Sequence, residues 1–117
     1  MEIDIYRKSD IIYLKPHGKM IGSAATEFRQ RTHRYLSSSQ EGLKFLIDFA
    51  DVPLVDSLSL GALMEAHISI TKKRGRIAVI NVSKHIKSLI VRSRLISTFE
   101  YFESENQAVS ALQSQAD

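Results

Sequence analysis

Leu43-Lys44-Phe45-Leu46-Ile47-Asp48-Phe49-Ala50-Asp51-Val52-Pro53-Leu54-Val55-Asp56-Ser57-Leu58-Ser59-Leu60-Gly61-Ala62-Leu63 is the stretch on which the fold turns. Leu43 to Phe49 is the most apolar run in the chain and reads as a central strand, buried on both faces for most of its length. Asp51 to Asp56, with Pro53 between them, is a loop. A helix then runs from about Ser57 to Lys73, with an apolar stripe of Leu60, Leu63-Met64, His67 and Ile70. Thr71-Lys72-Lys73-Arg74-Gly75 closes it: the cations complement the negative helix end, and Gly75 is expected to supply the left-handed terminal residue.

Towards the N-terminus, Ile3 and Ile5, then Ile11 and Tyr13, alternate with polar residues as two strands with one buried face each. Lys8-Ser9-Asp10 is the turn between them, so the pair reads as a hairpin, and the second strand runs out at Lys15-Pro16-His17-Gly18. Ser23 is placed to cap a first helix through its hydroxyl. In that helix Ala25, Phe28, Thr32 and Tyr35-Leu36 face inward, Glu27, Arg29, Gln30 and Arg31 face water, and Ser37 to Gly42 ends it as a polar loop. Towards the C-terminus, Ile77 to Ile80 is a fourth strand, and Ser83 caps a third helix carrying Ile86, Leu89-Ile90 and Ser93. Phe99 to Phe102 is a short fifth strand. Ser104 to about Gln113 is a last helix with Ala108, Ala111 and Leu112 inward, and Gln115-Ala116-Asp117 reads as a frayed tail.

The order β-β-α-β-α-β-α-β-α predicts a mixed α/β (α+β) domain. Its four- to five-stranded sheet begins with a hairpin and continues through right-handed parallel crossovers, packed with about four helices. With 117 residues and no internal repeat or linker, residues 1–117 read as a single domain. The absence of cysteine removes disulfides, thiolate metal sites and cysteine nucleophiles, and fits a reducing compartment. No apolar run approaches a membrane span and the start lacks a signal-peptide pattern, so a cytoplasmic address is expected. The net charge of +3 mildly favours an acidic partner and is far from the basic stripe of a nucleic-acid binder.

The chemistry-bearing residues gather where the central strand leaves the sheet. Asp56, Ser57 and Ser59 stand where a helix begins, and serines there most often act as caps. The alternative is that one of them accepts a phosphoryl group, since helix N–H groups and the dipole tolerate an anion. Asp48, Asp51 and Asp56 crowd the same strand end as a conceivable divalent-ion site, but Asp48 is better read as paired with backbone and Asp51 as opening a turn. The basic run Lys72-Lys73-Arg74-Gly75-Arg76 reads as a helix cap and not as a phosphate contact for nucleic acid. His17, His33, His67 and His85 have no paired ligand spacing; His67 reads as a hydrogen-bonded packing residue. No phosphate loop and no nucleophile with a base and orienting group emerges, so neither enzyme activity nor a cofactor or metal is expected.

The same stretch resembles the signature of the STAS family: an apolar strand, Asp-Leu, a short loop ending in Asp-Ser-Ser-Gly, then Leu-Gly and a helix. Lys72 to Val79 and Asn81-Val82-Ser83 with its following helix are similar too, so the resemblance covers Ile3 to about Leu112. It implies the STAS fold and a bacterial, non-enzymatic partner-switching role in transcription regulation. By that resemblance the unmodified protein is expected to bind a kinase-type anti-sigma factor or another regulatory serine kinase or phosphatase, and phosphorylation to release it. This sequence departs from the pattern twice. Leu58, which cannot accept phosphate, stands at the usual acceptor position, and Gly18-Lys19-Met20-Ile21 carries Lys19 and Ile21 where the family has Glu and Asp.

Asp56-Ser57-Leu58 is similar to the stressosome branch, whose acceptor directly follows the Asp, which makes Ser57 the first candidate acceptor and Ser59 the second. A constitutive binder with neither modified is the third reading. The expected partner surface is Asp56, Ser57, Leu58, Ser59, Leu60, Gly61 and Met64, with Leu58 as an exposed apolar anchor. Members of the family also serve as subunits of lipid-trafficking ABC transporters or as nucleotide-binding modules, and these stand as rival roles. Direct membrane insertion is not expected, and a weak homodimer is left open.

Overall fold

The computed structural model describes residues 1–37, 40–93 and 99–114. Ser38 and Ser39 of the expected polar loop and the tail Gln115-Ala116-Asp117 lie outside the described residues. The elements are β1 (Glu2–Lys8), β2 (Ile11–His17), α1 (Ser23–Leu36), β3 (Lys44–Asp48), α2 (Ser57–Lys72), β4 (Arg76–Ile80), α3 (Lys84–Arg92), β5 (Glu100–Phe102) and α4 (Glu105–Gln113). The strands form one mixed sheet in the order β1-β2-β3-β4-β5, antiparallel between β1 and β2 and parallel thereafter. The expected element order and mixed sheet are both present.

A parallel pair needs a crossover that returns the chain to the same end of the sheet, and α1, α2 and α3 supply it. Their apolar residues, including Ala25, Phe28, Ala62, Leu63, Ile86 and Ile90, pack with Ile12, Leu14, Phe45, Ile47, Ile77 and Val79 in the larger core. The opposite face is closed by α4, whose Ala108 and Leu112 meet Ile11, Tyr13, Leu46, Ala78 and Ile80. β2 therefore differs from its sequence pattern. Ile11, Ile12, Tyr13 and Leu14 are all buried, because β3 lies beside the strand and helices cover both of its faces. Each such side chain contributes about 1.5–3 kcal/mol of burial.

The helix faces follow the expected pattern in α1, where Ala25, Phe28 and Thr32 are buried, but not in α2. In α2 the buried residues are Ser59, Ala62, Leu63, Ala66 and Ile70, while Leu60, Met64 and His67 are only half-buried. The stripe is rotated towards small residues, which let α1 and α2 approach each other closely. In α1, Arg31 is half-buried and donates to the Ile3 carbonyl at 3.1 Å, and Glu27 pairs with the Met1 amino group, so neither simply faces water. Ser93 is likewise not on an inward stripe: it follows α3, is exposed, and its hydroxyl donates to the Ile90 carbonyl.

The turn after α2 corrects another expectation. The left-handed residue is Arg74, with φ 60, and not Gly75. Gly75 is there for space: a Cβ on it would lie 2.3 Å from the Leu43 carbonyl oxygen and 2.8 Å from Ile70 Cγ2. The chain passes that tightly because Gly75 N–H bonds back to the Ile70 carbonyl while Arg76 N–H bonds to the Leu43 carbonyl and enters the sheet.

Candidate functional site

β3 ends at Asp48 and the chain crosses to α2 over a loop pinned by the buried Val52 and Val55. A second loop, leading from β2 to α1, runs beside it. Met20 forms an isolated parallel bridge with Val55, its N–H donates to the Leu54 carbonyl at 2.8 Å, and its carbonyl accepts from Asp56 N–H at 3.1 Å.

Asp56 holds this junction. One carboxylate oxygen accepts from Ser59 N–H at 2.9 Å, capping α2. The other accepts from Gly22 N–H at 2.8 Å, immediately before α1. Ser23, expected to cap α1, is instead its first residue; Gly22 holds the N-cap position and makes no side-chain cap bond. A carboxylate from a distant loop thus replaces the local hydroxyl. The Gly22 amide first, then the Ser59 amide, hold the Asp56 carboxyl below the usual carboxylate range, because both bonds favour its ionised form.

The two candidate serines are two residues apart and fare oppositely. Ser59 is fully buried, and its hydroxyl donates to the Met20 carbonyl at 2.5 Å. Ser57 is exposed. Next to it, Leu58 is 64% exposed, the most of the exposed large apolar residues described. Leu60 and Met64 are half-buried against the larger core, and Gly61 is exposed. Sequence reasoning missed Ile21 and Leu54, exposed by 40% and 37% on the two loops that Met20 ties together. The available signal was an apolar residue inside each loop. Of the six exposed large apolar residues described, three (Ile21, Leu54 and Leu58) therefore lie on this junction.

The three aspartates of the strand end do not converge. Asp48 accepts from Ala50 N–H and Asn81 Nδ2, both at 2.9 Å, which is the backbone pairing expected with a side-chain partner added. Asp51 contacts His17 Nδ1 at 2.8 Å, and the other ring nitrogen lies 2.8 Å from Asp4. The Asp4 bond, aided by Asp51, raises the His17 pKa above its ordinary value despite partial desolvation. Among the described residues no group of three His, Cys, Asp or Glu side chains could hold a metal ion.

His67 packs against Phe99, ring centroids 5.4 Å apart, and burial lowers its pKa. Its Nδ1 is buried without a partner, so the expected hydrogen bonding is limited to the Thr71 hydroxyl, 3.4 Å from Nε2. Within the basic run, Arg76 is tied to Glu100 at 2.5 and 3.0 Å and to the Ala111 carbonyl at 2.7 Å, bracing β4, β5 and α4.

The fold and this junction define a small mixed-sheet domain that displays an apolar, serine-bearing helix end. The chain belongs to the STAS family: the STAS domain model matches residues 2–108. No curated protein matches the chain by sequence. Its fold is similar to that of an anti-sigma factor antagonist from Mycobacterium paratuberculosis, with TM-score 0.83, 17% identity, and 97% of this chain and 94% of that chain covered. It is also similar to the phosphorylated form of the Bacillus cell-fate determinant SpoIIAA (TM-score 0.73, 13% identity, 96% of this chain and 100% of that one). A third likeness is to the murine anion transporter Slc26a9 (TM-score 0.78, 16% identity), where 92% of this chain matches 18% of that chain. Among the described residues no helix is long and apolar enough to cross a membrane.

Proposed function

We propose that this chain is a non-enzymatic, cytoplasmic protein-binding switch, a single STAS domain over residues 1–117. Its docking surface is the start of α2, and its switch is phosphorylation of Ser57. The observation that carries the reading is the contrast at that helix end: Ser57 and Leu58 point to solvent, while Ser59 is sealed beneath them. Leu58 is the apolar anchor, rimmed by Ile21 and Leu54, in an interface whose energy sits in a few central residues.

A phosphate on Ser57 adds about −1.5 to −2 charges beside the Asp56 carboxylate, at a helix end whose N–H groups tolerate it. The fold survives; docking does not, because an ion is forced into a desolvated contact at a cost of several kcal/mol. That shifts affinity about 100-fold or more, as each 1.4 kcal/mol is tenfold. Ser59, in contrast, can take a phosphate only by surrendering its buried bond to Met20. The partner is a kinase-type anti-sigma factor or a related regulatory serine kinase or phosphatase. The named anti-sigma factor antagonists of like fold support this, as does SpoIIAA, whose structure is known in both unphosphorylated and phosphorylated forms. Lys19 and the exposed Ile21 in the β2–α1 loop give this surface a more basic and more apolar edge than the family pattern, so its partner presents a matching acidic and apolar rim.

Mass spectrometry of the protein from its own cells, beside Ser57→Ala and Ser59→Ala, tests the switch. One phosphate that disappears only in Ser57→Ala is the expected result. No phosphate in any growth state sinks the switch and leaves constitutive binding. The likeness to a domain of the Slc26a9 transporter supports a second reading, a subunit bracing a transporter such as a lipid-trafficking ABC system. A constant complex with an ATPase, unaffected by a serine kinase, is its distinguishing result.

A further inference from the structure

β1 is the end strand of the sheet, paired with β2 on one side only. The hairpin decides which of its backbone groups point outward. Two residues, Ser9 and Asp10, separate Lys8 from its partner Ile11, and Ser9 has φ 57. A two-residue loop of this kind closes on a hydrogen-bonded pair, and bonded and non-bonded pairs then alternate along the ladder. Lys8, Tyr6, Asp4 and Glu2 thus bond to β2, while Ile3, Ile5 and Arg7 turn their N–H and C=O groups away from it. Two observations agree. Ile3 lies opposite Pro16, which has no N–H to give. The Ile3 carbonyl also accepts from Arg31, a donor outside the ladder.

This outward edge is self-complementary in charge. Glu2 and Asp4 occupy its first half, Arg7 and Lys8 its second. Laid antiparallel on a second copy with Ile5 opposite Ile5, it sets Glu2 against Lys8 and Lys8 against Glu2. The outward residues then face one another as Ile3 with Arg7 and Ile5 with Ile5. Each bonded pair exchanges two bonds, giving about six main-chain bonds. In-register parallel pairing sets Glu2 on Glu2 and Lys8 on Lys8, which is repulsive. Charges on an edge strand usually deter pairing; here their order selects one arrangement. Arg31 occupies one lone pair of the Ile3 carbonyl and leaves the other, so the contact is weak and reversible.

We infer that the outer edge of β1 is a homodimer surface, on which a second copy adds its own β1 antiparallel and the two sheets become one. Sedimentation equilibrium of the full chain up to millimolar concentration tests this. Concentration-dependent dimerisation is expected. Glu2→Lys and Lys8→Glu should each weaken it about tenfold, through two like-charge pairs per dimer, and the double swap should restore it. Ile5→Pro removes an outward N–H that β2 does not use; it should abolish association while circular dichroism and the melting transition still report a folded monomer. A strictly monomeric parent, single swaps that associate like the parent, or a folded Ile5→Pro that still dimerises overturns the proposal.

Discussion

The two ends of α2 are built on opposite terms. At its C-terminal end everything closes: Arg74 takes the left-handed turn, Gly75 passes against Leu43 and Ile70, and Arg76 enters the sheet and binds Glu100. At its N-terminal end the backbone is equally well anchored, through Asp56, Gly22 and Met20, yet the side chains of Ser57 and Leu58 are left in water. Rigid backbone beneath exposed apolar side chains suits the docking surface proposed there, because little ordering remains to be done on binding.

The largest effect is expected at the closed end. Gly75→Val forces a branched side chain onto the Leu43 carbonyl and should destabilise by about 3 kcal/mol, read as a lowered denaturation midpoint in urea. A change under about 0.5 kcal/mol, the range of an ordinary surface site, would break the comparison. At the open end, Ser59→Ala removes one of the two donors to the Met20 carbonyl, leaving Asp56 N–H, and should cost about 0.5–1.5 kcal/mol by the same measurement. Leu58→Ala, one position earlier, should leave stability within about 0.5 kcal/mol, so that its effect falls on partner binding alone.

The smallest effect is in acid. Because bonds from Gly22 and Ser59 depress the Asp56 pKa in the folded state, its contribution is fully present above the unfolded carboxylate value of about 3.9. It is lost as pH falls through the lower, folded value. Asp56→Asn should therefore be less stable than the parent at neutral pH, and the gap should close in acid as the parent loses its carboxylate. A gap that stays constant down to the acid transition would show that the charge on Asp56 is not what holds the two helix starts.

Much of this was legible in the chain. The run Leu43 to Phe49 announced a covered strand, and Ser83 and Ser104 marked helix starts that they do cap, accepting from Ile86 and Gln107 N–H. These signals are local: periodicity and capping involve residues a few positions apart, so a sequence displays them directly. α2 was harder. It is apolar nearly all round, and period alone could not choose the Ser59-Ala62-Ala66 face over the Leu60-Met64-His67 face. That choice fell to the close packing of α1, which small side chains permit.

The sequence by itself determined the order of elements, the mixed sheet and the place where chemistry-bearing residues gather, because backbone propensity and hydrophobic period act over short separations. Tertiary structure alone decided that Ser59 is sealed while Ser57 is free, that Asp56 rather than Ser23 anchors the start of α1, and that Gly75 is needed for space rather than for its φ. Each of those outcomes depends on a group more than thirty residues away or on a neighbouring element (Met20, Gly22, Leu43) whose arrival at that spot is a property of the packed sheet.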